Sequence, residues 1–150
     1  MIVMKFGGTS VANFEAITRT IFIIGGKLDQ KPVVVVSALS KITDLLYAIS
    51  DAALSQDVVA TNEHLSQLRK RHVDLTEELL AQSVLKDEAV AKVNELCDRL
   101  DEIAHAVCSL GELSDKNKAV IISMGEYLSS TIIAYAMNAK GIKTRWVDSR

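Results

Sequence analysis

The sequence predicts an α/β fold, and three observations carry that expectation. Hydrophobic residues make up 49% of the 150 residues but aromatics only 5%. The core must therefore be built from Val, Ile, Leu and Ala, which is the composition of buried parallel strands and the helices that cover them. Two short apolar runs each end in a small-residue turn, and each turn is followed by a helical pattern. That strand–turn–helix order, repeated once, implies parallel pairing through a right-handed crossover. The length corresponds to about one domain of ordinary size.

The elements can be justified in order. Ile2–Val3–Met4 reads as a short buried strand that enters a tight turn at Gly7–Gly8. Thr9 or Ser10 would cap a helix from about Val11 to Gly25, with Ala12, Ile17, Ile21 and Ile24 as its apolar stripe. Pro32 precedes Val33–Val36, the clearest strand in the chain. Ser37–Ala38–Leu39–Ser40 turns into a second helix from about Ile42 to Ser55. Between Thr61 and Leu110, the spacing of Leu65, Leu68, His72, Leu75 and Leu79, and then of Leu85, Ala89, Val93, Leu96, Leu100, Ile103 and Val107, predicts two helices packed as a hairpin. A coiled-coil seam for dimerisation would need longer runs. His72 reads as a half-buried polar residue, since no second His or Cys lies at metal spacing. Lys118 to Lys140 carries a helical pattern interrupted near Gly125, Gly141 closes it, and Lys143–Val147 alternates as a strand.

Composition excludes several classes of function. The formal net charge is −2 with acids and bases interspersed, so nothing provides the electrostatic footprint of a nucleic-acid binder. No apolar segment approaches the roughly 20 residues needed to span a bilayer, and Lys5, Gly7 and Gly8 break any signal-peptide core. Neither a membrane nor a nucleic-acid partner is expected. Cys97 and Cys108 lie eleven residues apart on nearly one face of one helix. That is too far to bridge, so two buried thiols and a cytoplasmic location are expected.

Chemistry concentrates in three places. In Lys5–Phe6–Gly7–Gly8–Thr9–Ser10, a lysine ends a strand. Two glycines then let backbone amides approach a ligand, and a helix start lies beyond. Together these suit a polyphosphate, although a tight turn with a capped helix and a snorkelling lysine would leave the same text. Neither a Walker A motif nor a dinucleotide fingerprint is present. Ser37 and Thr43 flank the second turn, where hydroxyls are ordinarily caps. Glu126 sits in an otherwise apolar helical run, Ile121, Ile122 and Met124 before it and Leu128, Ile132 and Ile133 after it. If buried, it needs a cationic partner; if exposed, it is an ordinary surface carboxylate.

Lys5–Phe6–Gly7–Gly8–Thr9–Ser10–Val11 resembles the aspartokinase signature residue for residue, and its Lys-x-Gly-Gly part is shared with the broader amino-acid kinases. Ser37 and Thr43 fall on matching positions of that family's substrate turn. Lys41 stands where many members have glycine, a departure shared with forms fused to homoserine dehydrogenase. Gly125–Glu126–Tyr127–Leu128–Ser129–Ser130 is similar to the family's Gly-Glu-x-x-Ser-Ser element, and Lys143 to Arg150 resembles its lysine-sensitive monofunctional branch.

The resemblance implies a three-layer αβα sandwich with a mainly parallel sheet and an inserted helical hairpin at about 61–110. It implies ATP-dependent phosphorylation of aspartate with Mg²⁺ on the phosphates. Lys5 would stabilise the transferred phosphoryl group. Lys5, Gly7, Gly8, Thr9 and Ser10 would hold ATP phosphates, and Ser37, Thr43 and Glu126 would bind aspartate. On that reading residues 1–150 are the N-terminal part of the kinase domain. Its second half and the regulatory ACT domains lie elsewhere in a parent enzyme that is a homo-oligomer, and the chain alone turns over little. Rival expectations are another amino-acid kinase, acting on glutamate or acetylglutamate, and a non-catalytic half-kinase module that uses the hairpin to bind a partner.

Overall fold

The computed structural model describes residues 1–148. Strand β1 (Ile2–Phe6) leads through a short 3-10 turn (Gly8–Val11) into helix α1 (Phe14–Gly25). Strand β2 (Pro32–Val36) leads into helix α2 (Ile42–Leu54). Three long helices follow: α3 (Val58–Leu79), α4 (Lys86–Leu110) and α5 (Asp115–Ala139). The two strands pair in parallel, Ile2 opposite Pro32 through Phe6 opposite Val36. The crossover between them is α1, as the βαβ order requires.

Period-two alternation divides the small sheet into two unlike faces. Ile2, Met4 and Phe6, with Pro32, Val34 and Val36, are partly covered, whereas Val3, Lys5, Val33 and Val35 are exposed. Met4, Phe6, Val34 and Val36 pack on a core of Ile17, Ile21 and Ile24 from α1, Ile42, Leu46 and Ile49 from α2, Leu100 from α4 and Ile121, Leu128 and Ile132 from α5. Each such fully buried aliphatic side chain contributes about 1.5–3 kcal/mol.

Helices α3 and α4 run antiparallel, as two cross-links show. Asn62 faces His105 at 2.7 Å, and further along Arg69 donates to Asn94 at 3.0 Å, Asp98 at 2.7 Å and Asp101 at 2.7 Å. Helix α5 is 25 residues long and apolar enough by length and composition to span a membrane, yet 61% of its most apolar stretch is buried inside the protein. It is the central core helix, packed against α2, α4 and β2.

Several expectations change. Helix α1 starts at Phe14, not Val11. Its cap is Asn13, whose Oδ1 accepts the Ala16 N–H at 3.0 Å, so neither Thr9 nor Ser10 caps it. Gly125 does not interrupt α5, which runs through it unbroken. His72 is fully buried rather than half-buried. The expected strand at Lys143–Val147 is irregular, because its side chains are drawn back onto α5. The Trp146 Nε1–H donates to Ser130 Oγ at 2.9 Å, its ring meets Tyr127 edge-on at 4.9 Å, and Thr144 bonds to Asn138. The last two residues of the Lys143 to Arg150 motif lie outside the described residues. Cys97 and Cys108 are both buried, free thiols on α4.

Candidate functional site

The two strand-end turns come together at the carboxyl end of the parallel sheet, the end at which open α/β sheets bind ligands. The contact is backbone to backbone. A Cβ on Gly8 would lie 3.0 Å from the Ala38 carbonyl oxygen and 3.6 Å from the Ser40 backbone, so any side chain there would push the turns apart. Gly7 differs: nothing lies within 4 Å of where its Cβ would be. Of the glycine pair, Gly8 closes the packing and Gly7 leaves its face open to a ligand. The amide of Ser37 closes the arrangement by donating to the Phe6 carbonyl at 3.0 Å.

Helix α5 grips the second turn at both ends of one peptide group, Ser37–Ala38. Glu126 Oε1 accepts the Ala38 N–H at 3.3 Å, and Ser129 Oγ donates to the Ser37 carbonyl at 2.8 Å. Residues three apart lie on one helix face, so one turn of α5 supplies both contacts. Gly125 makes the approach possible, since a Cβ there would sit 2.7 Å from Ala38 Cβ and 3.1 Å from Leu46 Cδ1. The role of Ser129 was not assigned from the sequence. Its signal was present as a small hydroxyl residue within an apolar run, one turn after Glu126.

The candidate residues divide by environment. Lys5 is exposed on the open face of the sheet, so its ammonium is not desolvated by this chain as the end of a buried strand would have it. Thr9 is exposed, and Ser10, Ser37 and Thr43 are partly buried. Ser10 is fixed by its backbone: its amide bonds to the Gly7 carbonyl at 2.9 Å and its carbonyl accepts from Thr20 Oγ1 at 2.8 Å. Among the described residues, the side chains of Lys5, Thr9, Ser10, Ser37 and Thr43 donate no hydrogen bond to any partner. Glu126 is exposed, not buried in the helical run that surrounds it, and one of its oxygens is engaged with the Ala38 amide. Lys41 keeps the left-handed conformation that a glycine would take there, φ 65° and ψ 1°.

Helix-dipole support for a phosphate is weaker than the sequence suggested, because the element after Gly7 is a four-residue 3-10 turn and α1 begins only at Phe14. Donors at this turn are amides, hydroxyls and Lys5. No carboxylate belongs to the turn, and among the described residues no three His, Cys, Asp or Glu side chains cluster as a metal site. A cavity of about 920 Å³ lies elsewhere, between α4, α5 and Trp146.

The whole chain, residues 1–150, matches the model of the amino acid kinase family. It belongs to that family. Among curated proteins it is 32% identical over 149 residues to "Aspartokinase 3, chloroplastic" of Arabidopsis thaliana, covering 98% of this chain and 25% of the relative. It is 29% identical over 151 residues to the Arabidopsis thaliana "Bifunctional aspartokinase/homoserine dehydrogenase 1, chloroplastic", covering 99% and 16%. Its fold is similar to E. coli aspartokinase III solved with aspartate and ADP (R-state), with a TM-score of 0.86 and 25% identity over 100% of this chain and 31% of that one. The same enzyme with lysine and aspartate (T-state) gives a TM-score of 0.79 and 25% identity over 95% and 30%. The chain thus spans about a quarter of the length of the aspartokinase 3 it matches.

Proposed function

We propose that this chain is the N-terminal, substrate- and phosphate-binding part of an aspartate kinase, which converts ATP and L-aspartate to 4-phospho-L-aspartate and ADP. The observation that carries this reading is the set of unspent donors, Lys5, Thr9, Ser10, Ser37 and Thr43, around two touching turns with Glu126 across from them. Such a set suits two anionic ligands side by side, and the solved protein of similar fold was captured with aspartate and ADP.

Phosphoryl transfer asks a protein mainly to align donor and acceptor and to neutralise charge. On this reading the amides of Gly7 and Gly8, with Thr9 and Ser10, hold the nucleotide phosphates, and Lys5 balances charge on the transferred group. Ser37 and Thr43 orient the aspartate, and Glu126 takes its α-ammonium. Mg²⁺ supplies charge neutralisation on the phosphates when bound. The turn offers it no carboxylate, so it would ride on the nucleotide.

The open face of the sheet supports a larger architecture. Val3 is 68% exposed and Val33 48% exposed beside Lys5, an apolar surface that a further layer of the longer protein would cover to complete a three-layer αβα sandwich. We accordingly assign residues 1–150 to part of a longer, homo-oligomeric kinase that acts in the cytoplasm, where Cys97 and Cys108 stay reduced. The deciding experiment measures amino-acid-dependent ADP formation by the full-length protein and its Lys5→Ala variant. Aspartate-dependent turnover that falls about a hundredfold or more in the variant is the expected result. Turnover with glutamate or acetylglutamate instead, or none with any amino acid, would overturn the substrate assignment.

A further inference from the structure

We propose that Ser129 is a positioning residue for the carboxylate acceptor, holding the substrate turn in its binding shape from outside the site. The inference rests on the reading of Ser37 and Glu126 as acceptor ligands. Ser129 is fully buried and touches no open surface, so it has no route to the substrate itself. Its hydroxyl donates to the Ser37 carbonyl at 2.8 Å, while Glu126, one turn earlier on the same face, accepts the Ala38 N–H at 3.3 Å. With Ser37 N–H already bonded to Phe6, all three polar backbone groups from Ser37 N–H to Ala38 N–H are fixed. Among the described residues, the Ser37 hydroxyl makes no hydrogen bond.

This arrangement divides the work within Glu126. One carboxylate oxygen is oriented by the Ala38 amide, which leaves the other for an ammonium group. Ser129 keeps the Ser37–Ala38 peptide at the distance at which that division holds. Without it, the Ser37 carbonyl loses its partner, the peptide can rotate, and substrate must restore the turn as it binds. Such a loss weakens binding of the acceptor more than it slows the chemistry, by about five- to tenfold for one hydrogen bond.

The test compares Ser129→Ala, Ser129→Thr and Ser50→Ala in the full-length protein. Ser50 is an equally buried hydroxyl, but it bonds only to the Leu46 carbonyl of its own helix. Two quantities are read: KM for aspartate against KM for ATP, and the hydrogen-exchange rate of the Ala38 amide without ligand. Ser129→Ala should raise the aspartate KM about five- to tenfold with the ATP KM and kcat little changed, and should speed Ala38 exchange. Ser129→Thr should restore both, and Ser50→Ala should move neither. Wild-type aspartate KM and wild-type Ala38 exchange in Ser129→Ala would overturn the proposal, as would an equal effect from Ser50→Ala. Glu126→Gln keeps the acceptor for Ala38 but removes the charge, so an unchanged aspartate KM there would sink the ammonium assignment. In that event the exchange of Ala38 still decides the role of Ser129.

Discussion

Arg69, in the α3–α4 hairpin, donates to Asn94, Asp98 and Asp101, and its neighbours Lys70 and Lys92 pair with Asp74 and Glu95. Lys5, at the end of β1, donates to nothing among the described residues. Arg69, Lys70 and Lys92 of the hairpin are spent on side-chain partners; at the strand-end turns, backbone groups are spent, whereas among the described residues Lys5, Thr9, Ser10, Ser37 and Thr43 donate no side-chain hydrogen bond. The partners of Arg69 are partly exposed, so its ion pairs each contribute only about 1 kcal/mol or less and serve mainly to fix how the two helices cross. The turns are held instead by Gly8, Gly125, Ser37 N–H and Ser129, none of which needs a ligand to be in place. Comparing the regions separates the groups that build from the groups left available to bind.

Gly125→Val should break this contrast most severely. Its Cβ would meet Ala38 Cβ at 2.7 Å, which no rotamer can move aside, and the tip of the fully buried Leu46 at 3.1 Å. The expected cost is about 3 kcal/mol, at the upper end for overpacking a close helix contact, together with loss of aspartate-dependent turnover. Denaturant unfolding of the variant checks it. Unchanged stability would mean that α5 does not hold the turn as described.

A buried side chain of the hairpin predicts the next effect. His72 is completely buried. Its Nδ1–H donates to the Leu68 carbonyl at 2.7 Å, which leaves Nε2 without a partner among the described residues. Burial holds its pKa down to about 4, opposed by the Leu68 bond and assisted by the nearby charge of Arg71. In the unfolded chain the ring titrates near its ordinary 6.5. Between those values the unfolded state binds more protons, so the neutral ring's contribution is complete above about pH 6.5 and is lost as pH falls toward about 4. The loss should be of the order of 3 kcal/mol over that window. His72→Leu should flatten this part of the stability profile, and an equally steep profile in the variant would place the acid sensitivity elsewhere.

How much of this was legible in the sequence depends on whether a residue's role is local. The strand–turn–helix repeat and the long amphipathic helices follow from periodicity within a few residues, and both strands came out within two residues of their bounds. Gly125 was misread as a break because glycine's low helix propensity is a local signal, whereas its use here, the approach of Ala38, comes from 87 residues away. Lys5 ends a strand that reads as buried, and the apolar run around Glu126 leaves its burial open; strand and helix geometry turn both side chains outward. The strand expected at Lys143–Val147 alternates correctly, yet alternation cannot supply a pairing edge, and Trp146 and Thr144 bond to α5 instead. The candidate site was legible as residue types at two turns. The grip of α5 on the second turn was not, because Ser129 acts through a carbonyl 92 residues distant.

The smallest effect tests the turn itself. Lys41 holds φ at 65°, in the left-handed region that costs a residue with a Cβ about 1–2 kcal/mol, and its side chain makes no hydrogen bond among the described residues. Lys31 is in the same state at φ 49°, at the opposite end of β2 from Ser37. Gln56, also at positive φ, differs in using its side chain to reach the Cys108 carbonyl at 3.2 Å. Lys41→Gly and Lys31→Gly remove the backbone strain but increase the freedom of the unfolded chain by about 0.5–1 kcal/mol. Each should therefore stabilise the protein by only about 0.5 kcal/mol, or about 1–2 °C in Tm. Because glycine would take the conformation that Lys41 already holds, the aspartate KM should not change in either variant. A severalfold rise confined to Lys41→Gly would show that its ammonium contributes to ligand binding, and Lys41 would then join Lys5 among the unspent groups.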